Sequence, residues 1–177
     1  MTEEFTISVF TENHIGVLNR ITIIFTRRHI NIESMTTSAS ALNGIHKFTI
    51  VINSTEDQVK KVVKQIEKHV EVLRAFYYRN EDIIHQEIAM YKVPTEALTS
   101  SDQIEGIVRR HNARILEVTA DFTVIEKTGH KNETQALFEE LNQFKVLQFT
   151  RSGRISITKA SVERLSDYLN KIDYKLN

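Results

Sequence analysis

The stretch "FTISVFTENHIGVLNRITIIFTRRH", Phe5–His29, decides how the first half of this chain is read. Phe5, Ile7 and Val9 alternate with Thr6 and Ser8, the period of a half-buried strand. From Ile15 the apolar spacing becomes that of a helix, through Leu18, Ile21 and Phe25. Arg27-Arg28-His29 then place positive charge at the end where a helix dipole favours it. Gly16 falls in what should be the first helical turn, at a cost of about 1 kcal/mol against alanine. A strand-to-helix turn presents backbone N–H groups with no intrahelical partner. If an α-carboxylate binds there, glycine is explained, because a side chain would block close approach to the backbone. Asn13 could cap the helix or turn its amide to a ligand, and Ile15 and Leu18 would supply an apolar wall. Asn31, opening the next strand, could reach the same rim or that of a partner subunit. The residues equally suit a structural reading, with Asn13 as N-cap, Gly16 as a tight helix–sheet contact and Asn31 as a turn residue.

Working outward, "NIESMTTSAS" and "IHKFTIVIN" read as two strands joined around Leu42-Asn43-Gly44. A second helix carries the stripe Val59, Val62, Val63, Ile66 and Val70, with Lys60, Lys61, Lys64 and Lys68 opposite. "VEVLRAFYYR" closes the order β-α-β-β-α-β, the ferredoxin-like pattern. The polar "RNEDIIH" marks a boundary, and the order then recurs. "IHQEIAMYKV" is a strand and a helix runs around Ser101–His111. "ARILEVTA" and "FTVIEKT" are strands, followed by a helix with Leu137, Phe138, Leu141 and Phe144. "KVLQFTR" and "RISITK" close the unit around Gly153, and a last amphipathic helix runs from Val162 through Leu165 and Leu169 to Ile172. "IIFTRRHINIESMT" and "GIVRRHNARILEVT" share a helix end, Arg-Arg-His and a following strand, offset by one residue, which suggests a duplicated plan. The expected fold class is therefore α+β, with two tandem ferredoxin-like (βαββαβ) domains at 1–79 and 80–177. A four-stranded sheet with helices on one face leaves its other face bare. Ile23, Val51, Tyr77 and Tyr78 are candidates for that bare surface, and oligomerisation is the simplest cover.

Composition excludes much. Lysine plus arginine and aspartate plus glutamate both number 23 in 177 residues, so no net field draws nucleic acid or a membrane surface. "IHKFTIVI" does not supply the RNA-recognition strand pattern. The N-terminus has no signal-peptide pattern, no apolar run is long enough to span a membrane, and a cytoplasmic location is expected. With no cysteine, disulfides, thiolate zinc sites and cysteine nucleophiles are absent together. The five glycines form no G-x-G, and the seven histidines form no metal-binding spacing, so no metal site is expected. No constellation demands catalysis by this chain.

The first segment, followed by "HKFTIVI", resembles the start of the small, regulatory subunits of acetohydroxyacid (acetolactate) synthase. The family pattern is carried by Glu12-Asn13, Gly16, Leu18, Arg20, Phe25, Arg27-Arg28, Asn31-Ile32, Ser34, Met35 and Thr36. It continues through "HVEVLRAFYY", "HQEIAMYKV", "RILEVTADFTVIEKTG" and "VLQFTRSGRISI", nearly the whole chain. The resemblance implies that 1–79 is an ACT domain pairing with its twin in a homodimer. It implies a branched-chain amino-acid effector, usually valine, held by Asn13, Ile15, Gly16, Val17, Leu18, Asn31 and Ile32. It further implies a large catalytic subunit as partner, carrying thiamine diphosphate, Mg²⁺ and FAD, with no cofactor on this chain. An ACT-type regulator of another enzyme or of transcription would share the first half only. One departure is His29, where the family often has a glycine suited to a left-handed helix end.

Overall fold

The alternation at Phe5 becomes β1 (Glu3–Glu12), whose Phe5, Ile7 and Val9 are buried on one face. Then come α1 (Val17–Arg27), β2 (Ile32–Ala39), β3 (Ile45–Ser54), α2 (Glu56–Ile66) and β4 (Val72–Arg79). The four strands form an antiparallel sheet in the order β2-β3-β1-β4. Val17, Ile21, Ile24 and Phe25 of α1 and Val59, Val62, Val63 and Ile66 of α2 bury against β1 and β3. Thr55 starts α2 by accepting from the Gln58 N–H, as an N-cap should. The expected stripe stops at Ile66: α2 ends there, and Val70 is 96% exposed.

The structure is a computed structural model that describes residues 2–99, 103–162 and 164–169. A 3₁₀ turn (Asn80–Asp82) leads into β5 (Ile83–Pro94), the short α3 (Thr95–Thr99) and α4 (Gln103–Arg110). β6 (Arg114–Val118), β7 (Phe122–Gly129), α5 (Lys131–Asn142), β8 (Gln148–Arg151) and β9 (Ile155–Thr158) follow. The second sheet runs β6-β7-β5-β8, and β9 pairs with β5. Its core is Ala89, Tyr91, Val93 and Ile125 of the sheet with Ile104, Ile107, Val108, Leu137 and Leu141 of the helices. Tyr91 is fully buried and its hydroxyl donates to Thr134 O at 2.6 Å; burial pushes its pKa up to about 12. The fold class is thus α+β with the ferredoxin-like order in tandem. α3 was not foreseen, and Ser101 and Ile172, at the ends of two expected helices, lie outside the described residues.

The duplication extends to fine detail. α1 ends with Ile30 N–H on Phe25 O and His29 N–H on Thr26 O, the pair of bonds that defines a Schellman motif. α4 ends alike, with Ala113 on Val108 and Asn112 on Arg109. His29 and Asn112 both take positive φ, 53° and 50°, the left-handed helix-end conformation that glycine adopts most readily. A register shift follows in each edge strand, between Ile32 and Ser34 and between Ile115 and Glu117. His29 therefore corresponds to Asn112, and the two Arg-Arg-His runs are out of step by the one residue noted in sequence.

The chain divides into two compact units, Met1–Ile84 with Arg154–Asn177, and His85–Gly153. The sequence division at 79/80 assigns everything after Gly153 to the second domain; the packing groups the described residues there, 154–162 and 164–169, with the first. Arg154 and Ser156 are the reason, because their polar groups bond to β1, β2 and β3. Arg164 and Tyr168, from a helical segment at 164–169, stack with Tyr78 and Arg74. Val51 and Tyr78, expected on a bare surface, are buried within this unit, Tyr77 packs partly against the core, and Ile23 is exposed.

Candidate functional site

Gly16 is not inside the helix. It is the N-cap of α1, at φ 88° and ψ −7°, with no side-chain cap. This left-handed conformation costs an L-residue about 1–2 kcal/mol and a glycine almost nothing. A Cβ added there would meet only Arg20 Nη2, at 3.7 Å, so neither a tight helix–sheet contact nor crowding explains the glycine. Asn13 is not the N-cap either; its backbone N–H donates to Gly44 O at 3.3 Å and its side chain is exposed.

The turn offers donors. Val17 N–H bonds to His14 O and Arg20 N–H to Gly16 O, while Leu18 and Asn19 N–H find no backbone acceptor among the described residues. No acidic residue occupies the first turn, so the helix dipole there is uncompensated. Arg20, present in the family pattern but not among the expected ligands, folds back over the turn. Its Nη2 donates to Ile15 O at 3.3 Å and its Nη1 pairs with Glu71 at 2.5 Å. Ile15 is 102% exposed and Leu18 47%, two aliphatic side chains standing in solvent beside the donors. Val17 instead lies in the core and can offer a ligand no side chain.

Asn31 and Ile32 sit elsewhere. α1, with its 11 residues, separates Gly16 from Asn31 by about 16 Å at 1.5 Å per residue. The sheet register agrees: Ile32 pairs with Ile52, which pairs with Phe5 at the start of β1, whereas the turn follows Glu12 at its end. Seven strand steps make that roughly 23 Å. Asn31 is exposed and its Nδ2 donates to Glu33 Oε1 at 3.1 Å, and Ile32 is half-buried against the first core. The seven expected residues therefore form two groups at opposite ends of edge strand β2. No single small ligand touches both within one chain.

The second unit lacks this turn. β5 passes at Pro94 directly into α3, and Thr95 Oγ1 donates to Thr119 O at 2.9 Å. Arg114, in the place of Asn31, is paired with Glu126. An open cavity of about 410 Å³ lies against Gln103, Gly106, Ile107, Arg110 and Gln143, but Arg110 already pairs with Glu140 at 2.7 Å. Glu140 is held below the usual carboxylate range by its bonds from His111 and Arg110. No group of three or more metal-ligating side chains occurs among the described residues, and no described helix is long and apolar enough to cross a membrane.

The βαββαβ order, with a strand-turn-helix of open N–H donors in the first unit, fits an ACT domain there, and comparison with known proteins agrees. Residues 7–74 match the model of the acetohydroxyacid synthase small-subunit-like ACT domain, and residues 86–160 the model of the small subunit of acetolactate synthase. The chain is similar to the acetolactate synthase small subunit of Bacillus subtilis, 32% identical over 161 residues, covering 90% of this chain and 93% of that one. Its counterpart in Mycobacterium leprae is 32% identical over 154 residues, covering 87% and 90%. Among solved structures, the acetolactate synthase small subunit of Thermotoga maritima superimposes with a TM-score of 0.81 at 25% identity, covering 90% of this chain and 99% of that one. The chain belongs to the family of acetolactate synthase small subunits.

Proposed function

We propose that this chain is the regulatory, non-catalytic partner of a large acetolactate synthase subunit in the cytoplasm, activating it and making it sensitive to a branched-chain amino acid, with valine first and leucine or isoleucine as variants. The observation that carries this reading is the separation of the two residue groups. If edge strand β2 pairs antiparallel with β2 of a second copy, the twofold axis carries one chain's Asn31 and Ile32 to the end of the sheet where the other chain's turn lies. The effector's carboxylate would take the N–H groups of Leu18 and Asn19, and Ile15 and Leu18 would close on its aliphatic side chain. Asn31 of the second copy would meet its ammonium group. Thiamine diphosphate, Mg²⁺ and FAD would then be needed only on the catalytic subunit. Effector bound across the seam favours one arrangement of the dimer, and a coupling of about 1–3 kcal/mol alters the partner's activity roughly 5- to 150-fold.

The test is acetolactate formation from pyruvate by the same organism's catalytic subunit, with and without this protein, over a valine titration. Activation together with new valine sensitivity supports the reading. Unchanged activity and no valine response would remove that partner.

A further inference from the structure

Arg154 is the most unusual side chain outside the turn. It is 4% exposed, a buried charged group where the sequence suggested only the start of a closing strand. Its guanidinium donates to Thr6 Oγ1 at 2.9 Å, Asn80 Oδ1 at 3.2 Å and Glu4 Oε1 at 2.7 Å. Thr6 lies between Phe5 and Ile7 on β1, so it points away from the helices, onto the sheet's other face. The backbone of the same residue is held by a different strand. Thr36 Oγ1 donates to Arg154 O at 2.6 Å, and Arg154 N–H donates to Ser34 Oγ at 3.4 Å. Lys47 Nζ of β3 donates to Ser156 O at 2.9 Å just beyond.

Arg154 thus reaches over β3 and ties edge strand β2 to central strand β1. Among the described strands, β2 has only β3 beside it in the sheet. Its other polar attachments run through Ser34 and Thr36, three and five residues after Asn31. A buried guanidinium paired with a carboxylate favours one geometry, since moving it leaves the buried charge of Arg154 without its partners. An arginine fork also fixes direction as a lysine cannot.

We propose that Arg154 is a positioning residue that braces β2 in the placement needed for the effector response. This rests on the function proposed above, because β2 would carry both the seam between copies and the Asn31 half of the site. With the brace intact, β2 presents one fixed edge; with it cut, the effector must order the strand on binding and binds more weakly.

The brace can be cut without disturbing the buried charge. Thr36→Val removes the hydroxyl at nearly constant shape, and Thr36→Ser keeps it. Full-length variants are compared in two assays. In the complex with the catalytic subunit, Thr36→Val should raise the valine concentration for half-maximal inhibition about tenfold, with maximal activation retained, and Thr36→Ser should stay within about twofold of the parent. Arg154→Lys should resemble Thr36→Val, and the double variant should be no worse than either alone, since both cut one connection. In the isolated protein, hydrogen exchange at the β2 amides should quicken in Thr36→Val and Arg154→Lys while β1 and β3 keep their protection. A folded Thr36→Val protein with unchanged valine response and unchanged β2 exchange overturns the brace. If the parent protein itself ignores valine, the functional reading falls with the effector role of the brace, and quickened β2 exchange would support only its mechanical part.

Discussion

Gly16 separates two demands that one residue meets, and substitution can pull them apart. The first demand is conformational: at φ 88° an L-residue is strained by about 1–2 kcal/mol. Gly16→Ala carries that cost alone, since its Cβ finds only the flexible end of Arg20 at 3.7 Å. For a chain of this length it should lower the melting temperature of the first unit by about 2–8 °C. It leaves the donors of Leu18 and Asn19 open, so the effector response should stay within about fivefold of the parent. Gly16→Asp reverses the pattern. Aspartate tolerates the left-handed region better, and its charge at the helix start returns about 0.3–1 kcal/mol. The net stability change should be smaller than for alanine. Its carboxylate, however, competes for the donors meant for the ligand's own carboxylate. Losing two charge-assisted hydrogen bonds at about 1.5 kcal/mol or more each weakens binding at least about 100-fold. Calorimetric titration with valine and thermal melts on both proteins read the two axes separately. A Gly16→Asp protein that binds valine like the parent would refute the placement of the carboxylate. A Gly16→Ala protein that loses binding as fully as Gly16→Asp would show that close approach, not the open donors, is what the glycine serves.

His29→Gly should stabilise the first unit by about 1 kcal/mol, because φ 53° costs a histidine and not a glycine, and chemical denaturation would show the gain. Tyr91 keeps its proton in the folded state up to about 12. Stability should therefore be full below about pH 10 and fall by roughly 2–3 kcal/mol as pH rises through that window, and Tyr91→Phe should flatten this alkaline limb of a denaturation series. Glu140 has the opposite sign: its lowered pKa contributes stability present above the ordinary carboxylate value and lost as pH falls through the depressed one. Glu140→Gln should shorten the acid limb of the same series by removing the bonds from His111 and Arg110.

Sequence by itself determined the element order apart from the short α3, because apolar spacing reports how one segment meets its own core. The period of two at Phe5–Val9 and the stripe Val59–Ile66 needed nothing distant to be read. It also marked Gly16 as exceptional, yet misread why: a helix-interior glycine and a left-handed N-cap glycine look alike in sequence, and only backbone torsion tells them apart. Val70 matched the helical stripe, but a pattern does not say where the hydrogen-bond ladder ends. The tertiary structure alone decided what covers the outer face of the first sheet. Thr6 reads as the polar face of a strand, and Ser34 and Thr36 as part of another, with nothing to say what they meet until Arg154, more than 100 positions later, arrives to bond them. It alone set the distance between the Gly16 turn and Asn31: the sequence left Asn31 on the same rim or on that of a partner subunit, and the helix rise places the two at opposite ends within one chain. Local periodicity encodes which face is apolar; which remote segment satisfies the polar face depends on contacts that no window of sequence contains.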